Sequence, residues 1–201
     1  MDITSTAALH ALYAQPRERA LKKQLAAIDV HAQRFIELSP FVVLASCSAT
    51  GAVDASPRGG APGFVKVADP HTLLIPDAPG NNRLDSFRNI VEAGGVGLLF
   101  LIPGFDETLR VNGRATLTPE PQLLARCADE RRTPKVVIRV QVSEVYLHCA
   151  KAFMRSRLWD PQAQVPRETL PTMGQMLNDQ TGIRTPAETR EQMCQRYAAD
   201  L

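Results

Sequence analysis

His71-Thr-Leu-Leu-Ile-Pro76, Asp77-Ala-Pro-Gly-Asn-Asn82, Arg83-Leu-Asp-Ser-Phe-Arg-Asn-Ile-Val-Glu92 and Val96-Gly-Leu-Leu-Phe-Leu-Ile102 belong to one stretch, His71 to Thr118, whose reading decides the fold. The first segment is a β-prone run, the second a turn rich in Pro, Gly and Asn, and the third a short helix. The fourth, an unbroken apolar run of strand length, is expected to be a buried central strand. It turns around Gly104-Phe-Asp-Glu107 into Leu109-Arg-Val-Asn-Gly-Arg-Ala-Thr-Leu117, which alternates as a strand does. With Arg83 expected at the first helical position, Pro79-Gly-Asn-Asn82 gathers free backbone N–H groups, two amides and a guanidinium at one point. That is the chemistry of an anion site. Asp85, three residues after Asn82, also fits a capping box, which needs no ligand.

Working outward, Pro16 to Leu38 carries apolar residues at Leu21, Leu25, Ile28, Ala32, Phe35 and Ile36, a spacing that predicts one amphipathic helix ended by Pro40. Phe41 to Ser48 and Ala52 to Pro57 flank Ala49-Thr-Gly51 as a hairpin, and Phe64 to Val67 resumes a strand before the Asp69-Pro70 turn. Downstream, Gly94-Gly95 caps the short helix, and Pro119 to Glu130 reads as a helix capped by Thr118. Val136 to Tyr146 alternates with Val136, Ile138, Val140 and Val142 on one face. Six or seven strands, mostly in hairpin order with helices interrupting, predict an antiparallel barrel with flanking helices and not a parallel βαβ sheet. The expected organisation is an N-terminal helical segment over 1–40, a barrel over 41–160 and a helical tail or arm over 161–201. In that tail Glu188 to Ala199 is expected to form a polar helix with Met193 and Tyr197 on one side.

The 201 residues carry a formal charge of +2 with pI about 8.4, too near balance to argue for a nucleic-acid or membrane partner. Arginine outnumbers lysine 18 to 5, which suits bidentate phosphate or carboxylate recognition and equally fits a base-composition bias. The cysteines at 47, 127, 149 and 194 show neither metal spacing nor a disulfide framework, as expected of reduced thiols. With no signal-peptide pattern and no apolar stretch of spanning length, the expected location is cytoplasmic.

Three places carry binding chemistry. Arg58 ends a strand beside Gly59-Gly60, where a guanidinium can reach a phosphate, although a solvated loop arginine has the same sequence signature. Asn82 and Arg83 are the second place. The third is His148-Cys-Ala-Lys-Ala-Phe-Met-Arg-Ser-Arg-Leu-Trp159, where a helix would set Lys151 and Arg155 one turn apart and where Trp159 could equally anchor a core. P-loop, dinucleotide, nucleophile-elbow and zinc-protease signatures are missing, and no acidic metal cluster is present. His148 and Cys149, strand neighbours, point to opposite faces and make a poor nucleophile pair.

The order Ser56-Pro-Arg58, His71 to Asp77, Asn81-Asn-Arg83, Gly97-Leu-Leu-Phe-Leu-Ile-Pro103 and Arg110-Val-Asn-Gly-Arg114 resembles the pyridoxamine 5′-phosphate oxidase-related FMN-binding split-barrel family. The segment from His148 to Trp159 resembles an uncharacterised branch of it. The resemblance implies a homodimer of six-stranded antiparallel split barrels with FMN in clefts between subunits. It places Arg58, Asn82 and Arg83 at the phosphate and Thr108 and Arg110 at the flavin, with Lys151, Arg155 and Trp159 closing the cleft. The implied activity is that of a flavin-dependent oxidoreductase on a small substrate, with NAD(P)H a possible donor and no catalytic side chain assigned. An FMN- or haem-binding sensor and a ligand-free dimeric interaction module are the alternatives. The true oxidase follows its tryptophan with an Arg-His motif and ends Arg-Leu-x-Pro. Here Trp159 precedes Asp-Pro-Gln and the chain ends Tyr-Ala-Ala-Asp-Leu201, so vitamin B6 oxidation is not expected.

Overall fold

In the computed structural model, which describes residues 2–186 and 188–198, the chain divides at Arg155/Ser156 into two compact units. The first opens with two short helices, α1 (Thr6–His10) and α2 (Glu18–Lys22), neither of which buries a residue. Then come α3 (Val30–Leu38), the hairpin β1 (Phe41–Cys47) and β2 (Val53–Gly59), and the pair β3 (Lys66–Asp69) and β4 (Thr72–Pro76). They are followed by α4 (Asp85–Glu92), β5 (Gly95–Leu101), β6 (Thr108–Thr118), α5 (Pro121–Arg126), β7 (Val137–His148) and α6 (Lys151–Ser156).

All strands join one antiparallel sheet in the order β2-β1-β5-β6-β7-β4-β3. The count is therefore seven, within the six or seven read from the residues and one more than the six that the family resemblance implies. The sheet is also unclosed, since β2 and β3 stand at its two ends without pairing to each other. Its inner face carries Val42, Leu44, Leu98, Phe100, Leu109, Val111, Ile138 and Val140, all nearly inaccessible, and α3 and α4 cover this core with Ala32, Ile36, Phe87 and Ile90. On the other face α5 seats a small cluster of Leu74, Cys127 and Val137.

β5 is central, between β1 and β6, as expected of its apolar run. Yet only alternate residues are buried, and Leu99 and Leu101 stay half-buried on the outer face. The main core lies on one side of β5 and the small cluster under α5 sits elsewhere on the sheet, so this two-sided apolar strand keeps its outer side only half covered.

The predicted helix from Pro16 to Leu38 is broken. Leu25 exchanges both backbone hydrogen bonds with Val145 of β7, at 2.9 and 2.8 Å, and Asp29 accepts from the Ala32 N–H to start α3 afresh. Tertiary pairing of β7's open edge overrides local helical periodicity here. The helix predicted from Pro119 is the shorter Pro121–Arg126, because Thr118 is still paired in β6. The run expected to begin at Val136 switches faces near its end. Asn112 pairs with Glu144 but Gly113 with Val142, leaving Ser143 as a bulge that turns Val145 inward.

In the second unit two 3-10 turns precede α7 (Met173–Thr181) and α8 (Arg190–Tyr197), which begins at a Thr189/Gln192 capping box. Neither helix buries a residue. The helix predicted to reach Ala199 ends at Tyr197, and Ala199 lies outside the described residues. Among the described residues no helix is long and apolar enough to cross a membrane.

Candidate functional site

The pairing Val42↔Arg58 puts the Arg58 side chain on the core face of β2, at the end of the sheet and against α4. Its guanidinium lies 5.5 Å from the centre of the Phe87 ring. The Nε is inaccessible and has no hydrogen-bond partner, and among the described residues the whole group finds no acceptor. Burial lowers the Arg58 pKa, an effect opposed by the carboxylates of Asp77 and Asp54. Asp54 already accepts from the Ser86 hydroxyl, and Asn89 donates to Ser46, so α4 is tied to this end of the sheet. A half-buried guanidinium without an acceptor is the kind of orphan that an incoming anion satisfies.

The turn before α4 differs from its sequence reading. Arg83 is not at the first helical position: the helix begins at Asp85, with Leu84 preceding it in a left-handed conformation, as is Asn82. The Asn81 side chain accepts from the Arg83 N–H, which sets that turn, and no side chain caps the helix. The capping box that the sequence also allowed is therefore absent, and the first-turn N–H groups of α4 have no intrahelical or side-chain partners among the described residues. Arg83 itself is exposed and paired to Asp85 at 2.8 Å.

Thr108 and Arg110 lie elsewhere. Arg110 pairs with Leu99 and Tyr146, on the outer face and opposite to Arg58. Its Nη2 donates to Glu144 at 2.8 Å, its guanidinium stacks 4.0 Å from the Tyr146 ring centre, and its Nε is buried without a partner. Glu144 also accepts from Asn112 and from Gln24, each at 2.6 Å. Lys23 donates to the Leu147 carbonyl at 2.7 Å and sits 5.0 Å from the same Tyr146 ring. His148, 4.9 Å from that ring and paired with the buried Thr108, has its pKa lowered by burial and then by the Arg110 and Lys23 cations. The sequence reading missed Lys23, Gln24, Glu144 and Tyr146. The alternation of β7 marks Glu144 and Tyr146 as one-face residues, whereas nothing in the chain order brings Lys23 to them.

The segment after β7 is helical, as α6, with Lys151 and Arg155 exposed one turn apart and no ionic partner among the described residues. Trp159 belongs to the second unit, half-buried. One subunit thus brings Arg58 together with α4, and Thr108 with Arg110, but keeps the two groups on opposite faces. A cavity of about 610 Å³ is lined only by second-unit residues, among them Met173, Leu177, Met193 and Tyr197, and contains none of the candidate residues. Among the described residues no three His, Cys, Asp or Glu side chains are placed to hold a metal ion.

The first unit is thus an unclosed antiparallel sheet with flanking helices, carrying an uncapped helix start beside a half-buried arginine at one end of the sheet. Residues 28–149 match the family model for pyridoxamine 5′-phosphate oxidase, and the chain belongs to that family. Among solved structures it is similar in fold to a single-residue variant of HupZ from Group A Streptococcus, at 16% identity over 60% of this chain and 99% of that one, with a TM-score of 0.50. It is also similar to an FMN-binding protein from Syntrophomonas wolfei (12% identity, 70% and 97% covered, TM-score 0.46) and to HutZ, the haem storage protein of Vibrio cholerae (11%, 60% and 93%, 0.43). No curated protein matches the chain.

Proposed function

We propose that the protein binds FMN and acts, as a homodimer in the cytoplasm, as a flavin-dependent oxidoreductase on a small substrate other than pyridoxine phosphate. The observation that carries this reading is the half-buried Arg58 guanidinium, without an acceptor, beside the uncapped start of α4 in a chain of this family. Arg58, the Asn82 turn and Arg83 would hold the phosphate, Arg83 by leaving Asp85. Thr108 and Arg110 would meet the ring system from the outer face of the other subunit, which is how residues on opposite faces can serve one cleft. Lys151 and Arg155, uncommitted cations at the end of β7, would add positive charge there; for Trp159 the family resemblance alone supports a role. Bound FMN would supply the redox chemistry, while the chain supplies anchoring, orientation and hydrogen bonds.

The test is a titration with FMN, riboflavin and haem, followed by absorbance and thermal melting. FMN at 100 times its dissociation constant should add about 2.7 kcal/mol to apparent stability and quench flavin fluorescence. Absence of both overturns the reading, and a haem spectrum with no flavin uptake replaces it with the haem-binding alternative. With FMN loaded, anaerobic NADH or NADPH should bleach the flavin, and pyridoxine 5′-phosphate with oxygen should give no pyridoxal phosphate above a free-FMN background.

A further inference from the structure

Residues 23–25 precede the stretch that matches the family model, which begins at residue 28, yet they are stitched to the far end of β7. Leu25 pairs with Val145, Lys23 donates to the Leu147 carbonyl, and Gln24 donates to Glu144. This delivers an ammonium to a cluster that family residues alone would leave with one cation. Lys23 and Arg110 share the Tyr146 ring, at 5.0 and 4.0 Å, with His148 beside it. The single carboxylate in the group, Glu144, already accepts from Arg110, Asn112 and Gln24. Lys23 has no carboxylate partner among the described residues, and the Arg110 Nε has no acceptor. Two fixed cations against one carboxylate leave an excess of one positive charge beside the half-exposed His148 imidazole.

We propose that Lys23, Arg110 and His148 form a subsite for a small monoanionic carboxylate, with Lys23 as the residue that gives this chain its selectivity. The site exists whether or not flavin binds; its assignment to the substrate rests on the flavin reading. A carboxylate there compensates Lys23, accepts from Arg110 and accepts a hydrogen bond from the imidazole N–H. It also shields His148 from both cations, so that binding must raise the His148 pKa. Tyr146, already covered by two cations, serves as their platform and not as a stacking surface.

The experiment uses the full chain, with benzoate as the probe and neutral benzamide as its control. The His148 ring signals are followed by NMR through a pH titration, and assigned by their loss in His148→Gln. Benzoate is expected to raise the His148 pKa and benzamide to leave it in place. Lys23→Met should weaken benzoate at least 10-fold and Lys23→Arg should restore it to within about threefold, the charge being what matters. An unmoved His148 pKa with saturating benzoate, equal responses to benzoate and benzamide, or undiminished benzoate affinity in Lys23→Met overturns the proposal. Titrating the same sample with FMN keeps the readings apart: FMN failing to bind removes the flavin assignment and leaves the anion subsite standing on the benzoate result alone.

Discussion

Arg58 presents five N–H donors at the inner edge of the sheet and, among the described residues, meets no acceptor. A donor left unsatisfied by burial costs about 1–3 kcal/mol, so the residue is expected to be unfavourable to the empty fold and favourable only with an anion present. Arg58→Met should therefore leave the Tm of the ligand-free protein unchanged or raised, by about 2–4 °C per kcal/mol, while weakening FMN by roughly 1.5–3 kcal/mol and sparing riboflavin. Equal losses for riboflavin and FMN would show the guanidinium to be structural. At His148 the argument concerns pH. Its folded pKa lies below the ordinary value of 6.5, because burial and two cations disfavour the imidazolium. The unfolded chain therefore takes up its proton first as pH falls. The stabilising contribution is complete above pH 6.5 and is lost as pH drops through the folded pKa. Thermal melts between pH 8 and 5 should fall less steeply in His148→Gln than in the parent, and parallel curves would remove His148 from the account.

At the scale of elements, the β6–β7 bulge sets what the outer face presents. Gly113 sits where the register shifts, and a Cβ there would overlap the carbonyl oxygen of Gln141, a backbone atom that cannot step aside as a side-chain tip can. Gly113→Ala should destabilise by about 1–3 kcal/mol, the range for forced overpacking, and should disturb Arg110 and Glu144 just beyond the bulge. Gly51→Ala is the contrasting case. Gly51 has φ +87° with open space around it, so only left-handed strain of about 1 kcal/mol is expected there. Similar melting losses in both variants would mean that the bulge is not a packing constraint. α4 shows the same dependence on its setting. Its core face is legible as Phe87 and Ile90, but its start is set by the Asn81 turn and by two left-handed residues, of which Asn82 suits that conformation and Leu84 carries no sequence signal for it.

For the whole molecule, the decisive surface is the outer face of β1 and β5. Phe41, Val43, Leu99 and Leu101 are half-buried there, next to Arg110 and Tyr146. If the FMN cleft forms between copies, this face should be covered by a second chain, in an interface of about 2,000 Å² or more as obligate homodimers commonly have. Leu99→Glu, which puts a charge at the middle of that face, should yield monomers in sedimentation and lose FMN together with the dimer. A monomeric parent that holds FMN at micromolar concentration would end the dimer reading.

By itself the sequence determined the strands, the hairpin around Gly51, the short α4 and the family resemblance, which the match over residues 28–149 bears out. Those features follow from periodicity and turn chemistry within windows of about ten residues. Only the tertiary structure decided that the sheet stays unclosed, that the first long helix breaks at Leu25, and that Arg58 and Arg110 are separated by the thickness of the sheet. Each of these depends on pairing between residues far apart in the chain, such as Leu25 with Val145, and a local pattern holds no record of such a partner. Lys23 came to Tyr146 by the same route, and no spacing in the sequence could have announced it.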